Sequence, residues 1–270
     1  MTARLCVAPA RLAPGPLRVD GDDHAYLFRV RRLAVGDPVQ LFDGAGREAP
    51  AVAVEIGPGH AVLEVGAVEA RPPLAPTITV LQAVLKGERM DWCLEKLVEV
   101  GVDAIVPVET ARTVVHLDDE RRARRQVRHQ RIAAEAARQC GRADVPPVAP
   151  ARRLADALAA VTAGVRLVAD PGVDHPLLAA APADATTVAL LIGPEGGLTA
   201  DEVERAQAAG FVAVSLGATV LRAETAGFAA AFALRAARAG RAVHGGAGAV
   251  GDAERSPEFR GFAPGGDPAV

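Results

Sequence analysis

Apolar residues recur along this chain with two different periods. In the first quarter, short runs alternate apolar and polar positions and break at glycine: "DPVQLFDGAG" (Asp37–Gly46) and "EAPAVAVEIGPGHAVLEVG" (Glu48–Gly66). Period-two alternation between glycine turns predicts a small all-β unit, barrel-like or sandwich-like. "EARPPLAPT" (Glu69–Thr77) places three prolines in five residues, which predicts an extended linker. Beyond it, strands alternate with helices. "TITVLQAVL" (Thr77–Leu85) reads as a buried strand. "ERMDWCLEKLVEVG" reads as a helix with Met90, Cys93, Leu94, Leu97 and Val98 on one face and Gly101 as its stop. Further strands are expected at Ala104–Val108, Val165–Ala169, Thr187–Gly193 and Val212–Gly217, and a long helix at Arg121–Cys140. Such alternation predicts an α/β fold with a parallel sheet covered by helices. The last 27 residues hold 7 Gly and 3 Pro, which predicts a flexible tail over His244–Val270. The domain reading is therefore 1–72, 73–243 and a tail at 244–270.

Composition narrows the class. Half of the 270 residues are hydrophobic, so most of the chain should bury a core. No apolar run reaches about 18 residues, so no membrane partner is expected. The opening "MTARLCVAPARLAPG" does not read as a secretory signal, and a cytoplasmic location is expected. Cys6, Cys93 and Cys140 are odd in number and far apart. They fit a reducing compartment and show no metal-ligand spacing; His116, His129 and His175 do not cluster. No metal is expected. The net charge of −3 argues against bulk nonspecific nucleic-acid binding. Charge is unevenly distributed, however. Residues 111–142 hold nine Arg against four acids, much of it in "ERRARRQVRHQR". A solvated helical face accounts for this as well as an RNA surface does.

Two corners carry candidate chemistry. In "IGPEGGLTADEVERAQAAGF" (Ile192–Phe211) a strand ends at a glycine-rich turn and a helix begins. Thr199 and Glu202 have capping-box spacing, and Gly210 suits a helix stop. The turn thus lies outside the carboxyl end of a strand, where open α/β sheets bind ligands. Glycines let backbone approach a ligand closely. Glu195 would repel a phosphate, so a neutral or cationic ligand fits better, while a tight turn without a ligand explains the glycines equally well. "SLGATVLRAETAGFAAAFAL" (Ser215–Leu234) repeats the design, bringing Arg222, Glu224 and Thr225 to a helix start. Glu224 and Thr225 would serve there as caps, but Arg222 would be repelled by the positive helix end.

These two segments resemble the ribosomal RNA small subunit methyltransferase E family of knotted SPOUT methyltransferases. The likeness extends to Lys86–Val115, Arg131–Val148 and Arg29–Gly46, so it covers nearly all the chain except the tail. It implies a SPOUT-type parallel-sheet domain with a trefoil knot, preceded by a small PUA-like β-barrel domain. It further implies S-adenosylmethionine as methyl donor, N3 of a uridine in the 16S RNA of the small ribosomal subunit as acceptor, and a homodimer. Carried onto this chain, the donor would be held by Ile192, Gly193, Pro194, Glu195, Gly196 and Gly197. Leu216, Gly217, Val220, Leu221, Thr225 and Ala226 would complete that site. Arg112, Gln139 and Arg142 lie in matching motifs and are expected at RNA, as are Arg29, Arg31 and Arg32 on the small domain. Uridine N3 needs a base to take its proton or a cation to stabilise the anion. Arg222 is expected in the electrostatic role, with Glu224 ahead of Glu195 as the base. Lys96 and Glu99 fit a surface ion pair. Two positions depart from the family pattern: Thr219 replaces its usual Arg, and Tyr26 its usual His. Competing readings are a SPOUT enzyme acting on ribose or transfer RNA, a catalytically silent RNA-binding or ribosome-assembly factor, and a nucleotide-binding module. The last lacks a G-x-x-x-x-G-K-[ST] motif.

Overall fold

The computed structural model describes residues 2–113 and 119–245. The first part of the chain contains β1 (Ala3–Cys6), β2 (Gly15–Asp20), α1 (Gly21–His24), β3 (Pro38–Phe42), β4 (Arg47–Gly57), β5 (His60–Val65) and β6 (Glu69–Ala70). The remainder contains β7 (Thr77–Ala83), α2 (Glu88–Glu99), β8 (Ala104–Glu109), α3 (Asp119–Cys140), β9 (Arg152–Arg153), α4 (Leu154–Ala160) and β10 (Val165–Ala169). It continues through α5 (Leu177–Ala180), β11 (Thr187–Ile192), α6 (Ala200–Ala208), β12 (Val212–Val214) and α7 (Ala223–Gly245). Of the expected tail, His244 and Gly245 close α7, and residues 246–270 lie outside the described residues, as does His116.

The first sheet has the order β1-β3-β4-β5-β2, with β6 added to β4. All its pairs are antiparallel except β1 with β3. The period-two pattern works as expected: along β5, Ala61, Leu63 and Val65 point inward and the residues between them do not. A helical stretch at Ala25–Val30 continues α1 and packs Leu27 into the same core. The alternation analysis missed this stretch, because it is too short to show a helical period.

The second sheet is wholly parallel, in the order β12-β10-β11-β7-β8-β9. Its strands are buried on both faces, as covered parallel sheets require. Ile78, Val80, Leu167, Val188 and Leu190 face a core shared with α2, α3 and α7. Leu81, Val168, Ala189 and Leu191, from the alternate positions, face α4 and α6. Arg235 of α7 donates to Pro76 O at 2.6 Å and to Asp103 Oδ2 at 2.7 Å. Asp103 also accepts the Ile78 N–H at 2.7 Å, so one ion pair ties α7 to the start of β7.

The two sheets are joined by main-chain bonds. Val145 N–H donates to Gly44 O at 2.9 Å, and Gly46 N–H to Ala143 O at 3.2 Å. Gly44 and Gly46 both have positive φ (71° and 99°), so the turn needs glycine at these two points. Asp43 shapes it, accepting from Ala45 N–H (2.8 Å), Arg47 N–H (2.9 Å) and Arg47 Nε (2.7 Å). Burial alone would raise the Asp43 pKa; these bonds outweigh burial and hold it below its ordinary value. A depressed folded-state pKa contributes stability above the unfolded-state value and loses it as pH falls. Asp43→Asn should therefore cost about 1–2 kcal/mol at neutral pH. In urea unfolding, its deficit relative to wild type should shrink as pH falls below about 4.

Candidate functional site

Strands β12, β10 and β11 are neighbours, so the loops leaving their carboxyl ends meet. They enclose a cavity of about 970 Å³. Its lining includes Ile192–Gly197 from the first glycine corner and Leu216, Gly217, Val220, Leu221 and Ala226 from the second. Arg222 and Glu224 also line it; Thr225 is outside the lining. A third loop was not singled out from the sequence: Ala169, Asp170 and Pro171, after β10. Its signal was a strand running into Asp-Pro-Gly, which gains meaning only once β10 is known to lie between β11 and β12.

The glycine loop is closed on itself. Gly197 N–H donates to Pro194 O at 2.8 Å, and Gly197 has φ +72°. A Cβ on Gly193 would sit 3.1 Å from Leu198 Cγ and 3.2 Å from Leu198 N, too close for the backbone to stay in place. Thr199 caps α6 through the expected capping box: Glu202 N–H donates to Thr199 Oγ1 at 3.3 Å, and Thr199 N–H to Glu202 Oε2 at 2.9 Å. The buried Glu202 does more than cap. Its Oε1 accepts the Ala111 N–H at 2.7 Å, which docks the segment after β8 onto the loop. Arg112 then lays its stem along Gly196 and donates from Nη1 to Gly196 O at 2.6 Å. Arg89, also unremarked in the sequence, pairs with Glu195 at 3.1 Å. The carboxylate in the glycine loop is therefore braced by an arginine from α2.

The second corner has a different electrostatic character. The Arg222 carbonyl accepts the Thr225 and Ala226 N–H groups at 2.9 Å, which starts α7. Its guanidinium is largely free in solvent, with the side chain 79% exposed. The Glu224 side chain is only 12% exposed and lies 4.0 Å from Arg222. Glu224 Oε2 is buried and has no hydrogen-bond partner. A buried carboxylate oxygen left unpaired is costly unless a ligand completes it. Beneath it, burial and then the Glu224 charge push the Cys93 thiol up to about 12, so that thiol is inert at neutral pH.

The residues expected at RNA fall in separate places. Arg112 is at the cavity, as described. Arg142 is used inside the protein: it donates to Val98 O (3.0 Å) and Val102 O (2.8 Å) and pairs with Asp144. Gln139 and Arg31 line a second cavity of about 750 Å³, between the first sheet and the end of α3. There the Arg138 guanidinium lies 4.3 Å from the Tyr26 ring centre. Arg29 and Arg32 are exposed on the small sheet's side. Lys96 and Glu99 form the expected ion pair at 2.7 Å. Among the described residues, no His, Cys, Asp and Glu side chains group in a way that would hold a metal ion, and no helix is long and apolar enough to cross a membrane.

Comparisons with known proteins agree with this architecture. Residues 72–235 match the family model described as an RNA methyltransferase domain, and residues 19–66 match an RNA methyltransferase PUA domain. The chain is 37% identical over 215 residues to the ribosomal RNA small subunit methyltransferase E of Mycobacterium bovis, covering 77% of this chain and 81% of that one. It is 28% identical over 218 residues to the Bacillus subtilis protein of the same name, covering 77% and 85%. Among solved structures, that of a ribosomal RNA small subunit methyltransferase E from Neisseria gonorrhoeae bound to S-adenosyl methionine superposes with a TM-score of 0.80. Identity there is 32%, over 87% of this chain and 98% of that one. A Legionella pneumophila putative methyltransferase in complex with S-adenosylmethionine gives a TM-score of 0.80 at 30% identity, over 88% and 98%. With two thirds of its length matched at this identity, and with both sheets accounted for, the chain belongs to the ribosomal RNA small subunit methyltransferase E family.

Proposed function

We propose that this protein transfers a methyl group from S-adenosylmethionine to N3 of one uridine in 16S ribosomal RNA, on the assembled small subunit in the cytoplasm. The observation that carries the proposal is the pairing of Glu224, with one buried, unpartnered oxygen, and the exposed Arg222 in the lining of a glycine-walled cavity. The relatives named above are small-subunit RNA methyltransferases, and two matched structures hold this donor.

The cavity fits the proposed donor. Its lining carries Asp170 and Glu204, which suit a sulfonium cation and sugar hydroxyls. Bound there, the donor supplies an electrophilic methyl group, and in-line placement does much of the rest.

The chain's own residues handle the acceptor. Uridine N3 carries a proton and attacks only after losing it. Glu224 receives that proton, and Arg222 faces the negative charge that spreads onto the flanking carbonyls. Glu195, the other acid considered as a base, is engaged by Arg89 and serves the loop instead. The same reading gives residues 1–72 to RNA binding and 73–243 to methyl transfer. It takes the crossing of the two glycine corners as the trefoil knot. A second copy of the chain is the proposed cover for Val220 and Phe232, which are 80% and 58% exposed on the second corner and on α7.

The deciding experiment combines labelled donor with small subunits that lack the modification, followed by nucleoside mass spectrometry. A 3-methyluridine product is expected; a ribose-methylated nucleoside, or label only in transfer RNA, would replace the acceptor named here. Arg222→Ala should lower kcat about 10²–10³-fold, the usual loss when an anion-stabilising donor is removed. Glu224→Gln should lower kcat by about 10²-fold or more while donor affinity, read by calorimetry, holds. Gly193→Ala should do the reverse, weakening donor binding about tenfold through the displaced Leu198 backbone.

A further inference from the structure

Helix α3 is out of character with the rest of the molecule. It carries seven arginines and three acids, a net of +4, in a chain of net charge −3. All other residues together therefore sum to −7. The arginines are also ordered. Arg124, Arg128, Arg131 and Arg138 stand at i, i+4, i+7 and i+14, on one helical face. The opposite face, through Ala133, Ala136 and Ala137, packs into the core. Arg124, Arg128 and Arg131 are 71%, 66% and 82% exposed. Their present partners are single carboxylates, Glu120, Asp91 and Glu135. Exposed pairs of this kind contribute little to folding, so an incoming phosphate displaces them at small cost.

The placement of the helix matters as much as its charge. Before α3, the chain leaves the donor cavity at Arg112. At its far end, Arg138 and Gln139 meet Arg31 in the second cavity, against the small sheet. From Arg124 to Arg138 the arginine face runs 14 residues, about 21 Å, further than one nucleotide reaches.

We propose that the outward face of α3 is a docking rail for the phosphate backbone of the substrate RNA, leading from the donor cavity to the cleft beside the small sheet. The inference rests on the RNA-methyltransferase reading and adds where the substrate lies. RNA is favoured over an acidic protein because the face offers guanidinium groups at regular intervals with few apolar side chains between them. It also means that the substrate is a folded RNA extending well beyond the target base.

The test is salt-dependent binding of small-subunit RNA transcript to the full-length protein, from 50 to 300 mM KCl. The variants are Arg124→Gln/Arg131→Gln and, separately, the double substitution to glutamate. Both arginines pair only within α3, and an unchanged melting temperature is the control for folding. The glutamine pair should weaken RNA binding at least tenfold at 150 mM salt and flatten the log–log salt slope by about two, one for each arginine that no longer neutralises a phosphate. The glutamate pair should weaken it further. Donor affinity should stay within twofold. RNA affinity and salt slope equal to wild type would overturn the rail. Binding lost to intact subunits but retained by naked RNA would also overturn it and point to an acidic ribosomal protein. If the wild type binds transfer RNA instead, with the same arginine-dependent slope, the rail stands and the 16S acceptor falls.

Discussion

Two-sided burial of the parallel sheet is the constraint from which the rest follows. A strand such as β11, with Val188 and Leu190 on one face and Ala189 and Leu191 on the other, needs helices above and below it. Parallel strands joined by helices send all their carboxyl ends to one edge. With β10 between β11 and β12, three loops must share that edge, and a cavity forms where they meet. The glycines answer this crowding: a Cβ on Gly193 would press on Leu198 at 3.1 Å, and Gly197 takes a left-handed conformation.

Crowding alone would leave such a loop loose. Its rigidity comes from polar groups supplied by other elements. Glu202 divides its two oxygens between the α6 cap and the Ala111 N–H. Arg112 holds the Gly196 carbonyl, and Arg89 holds Glu195. The two carboxylates and two arginines of the first corner are thus all engaged. In the second corner, Glu224 keeps an unpaired buried oxygen, and Arg222 is held only by a long 4.0 Å contact to the other oxygen of Glu224. That contrast separates bracing from chemistry: groups already paired hold shape, and groups left unpaired are available to a ligand.

Much of this was legible in the sequence because it is written locally. Period two marked β4 and β5, the capping box marked α6, and the glycine corners marked two of the three cavity loops. What stayed hidden depends on long-range placement. Arg142, expected at RNA, also holds the Val98 and Val102 carbonyls some 40 residues away in sequence, a structural use that no local pattern shows. The Asp170 loop had no meaning until the order of β10, β11 and β12 was known. Arg89 carried no signal, since its partner Glu195 lies 106 positions on. Short elements such as α4, α5 and the helical stretch after α1 are set by packing and show too few turns for a period to emerge.

The seam between the two sheets links these local facts to substrate recognition. Gly44 and Gly46 bond directly to the backbone at Ala143 and Val145, just past the end of α3. Arg4 adds a bond to Arg142 O at 2.9 Å, and Arg138 stacks on Tyr26. Main-chain bonds at a glycine turn leave little freedom to hinge, because both partners are fixed by their own strands and helix. The small sheet is therefore held at one end of α3, while the Glu202 and Arg112 contacts hold Ala111 and Arg112 at the cavity. On the function proposed above, the substrate is a folded RNA recognised by shape and phosphate contacts, which suits a chain with only 3% aromatic residues to stack on bases.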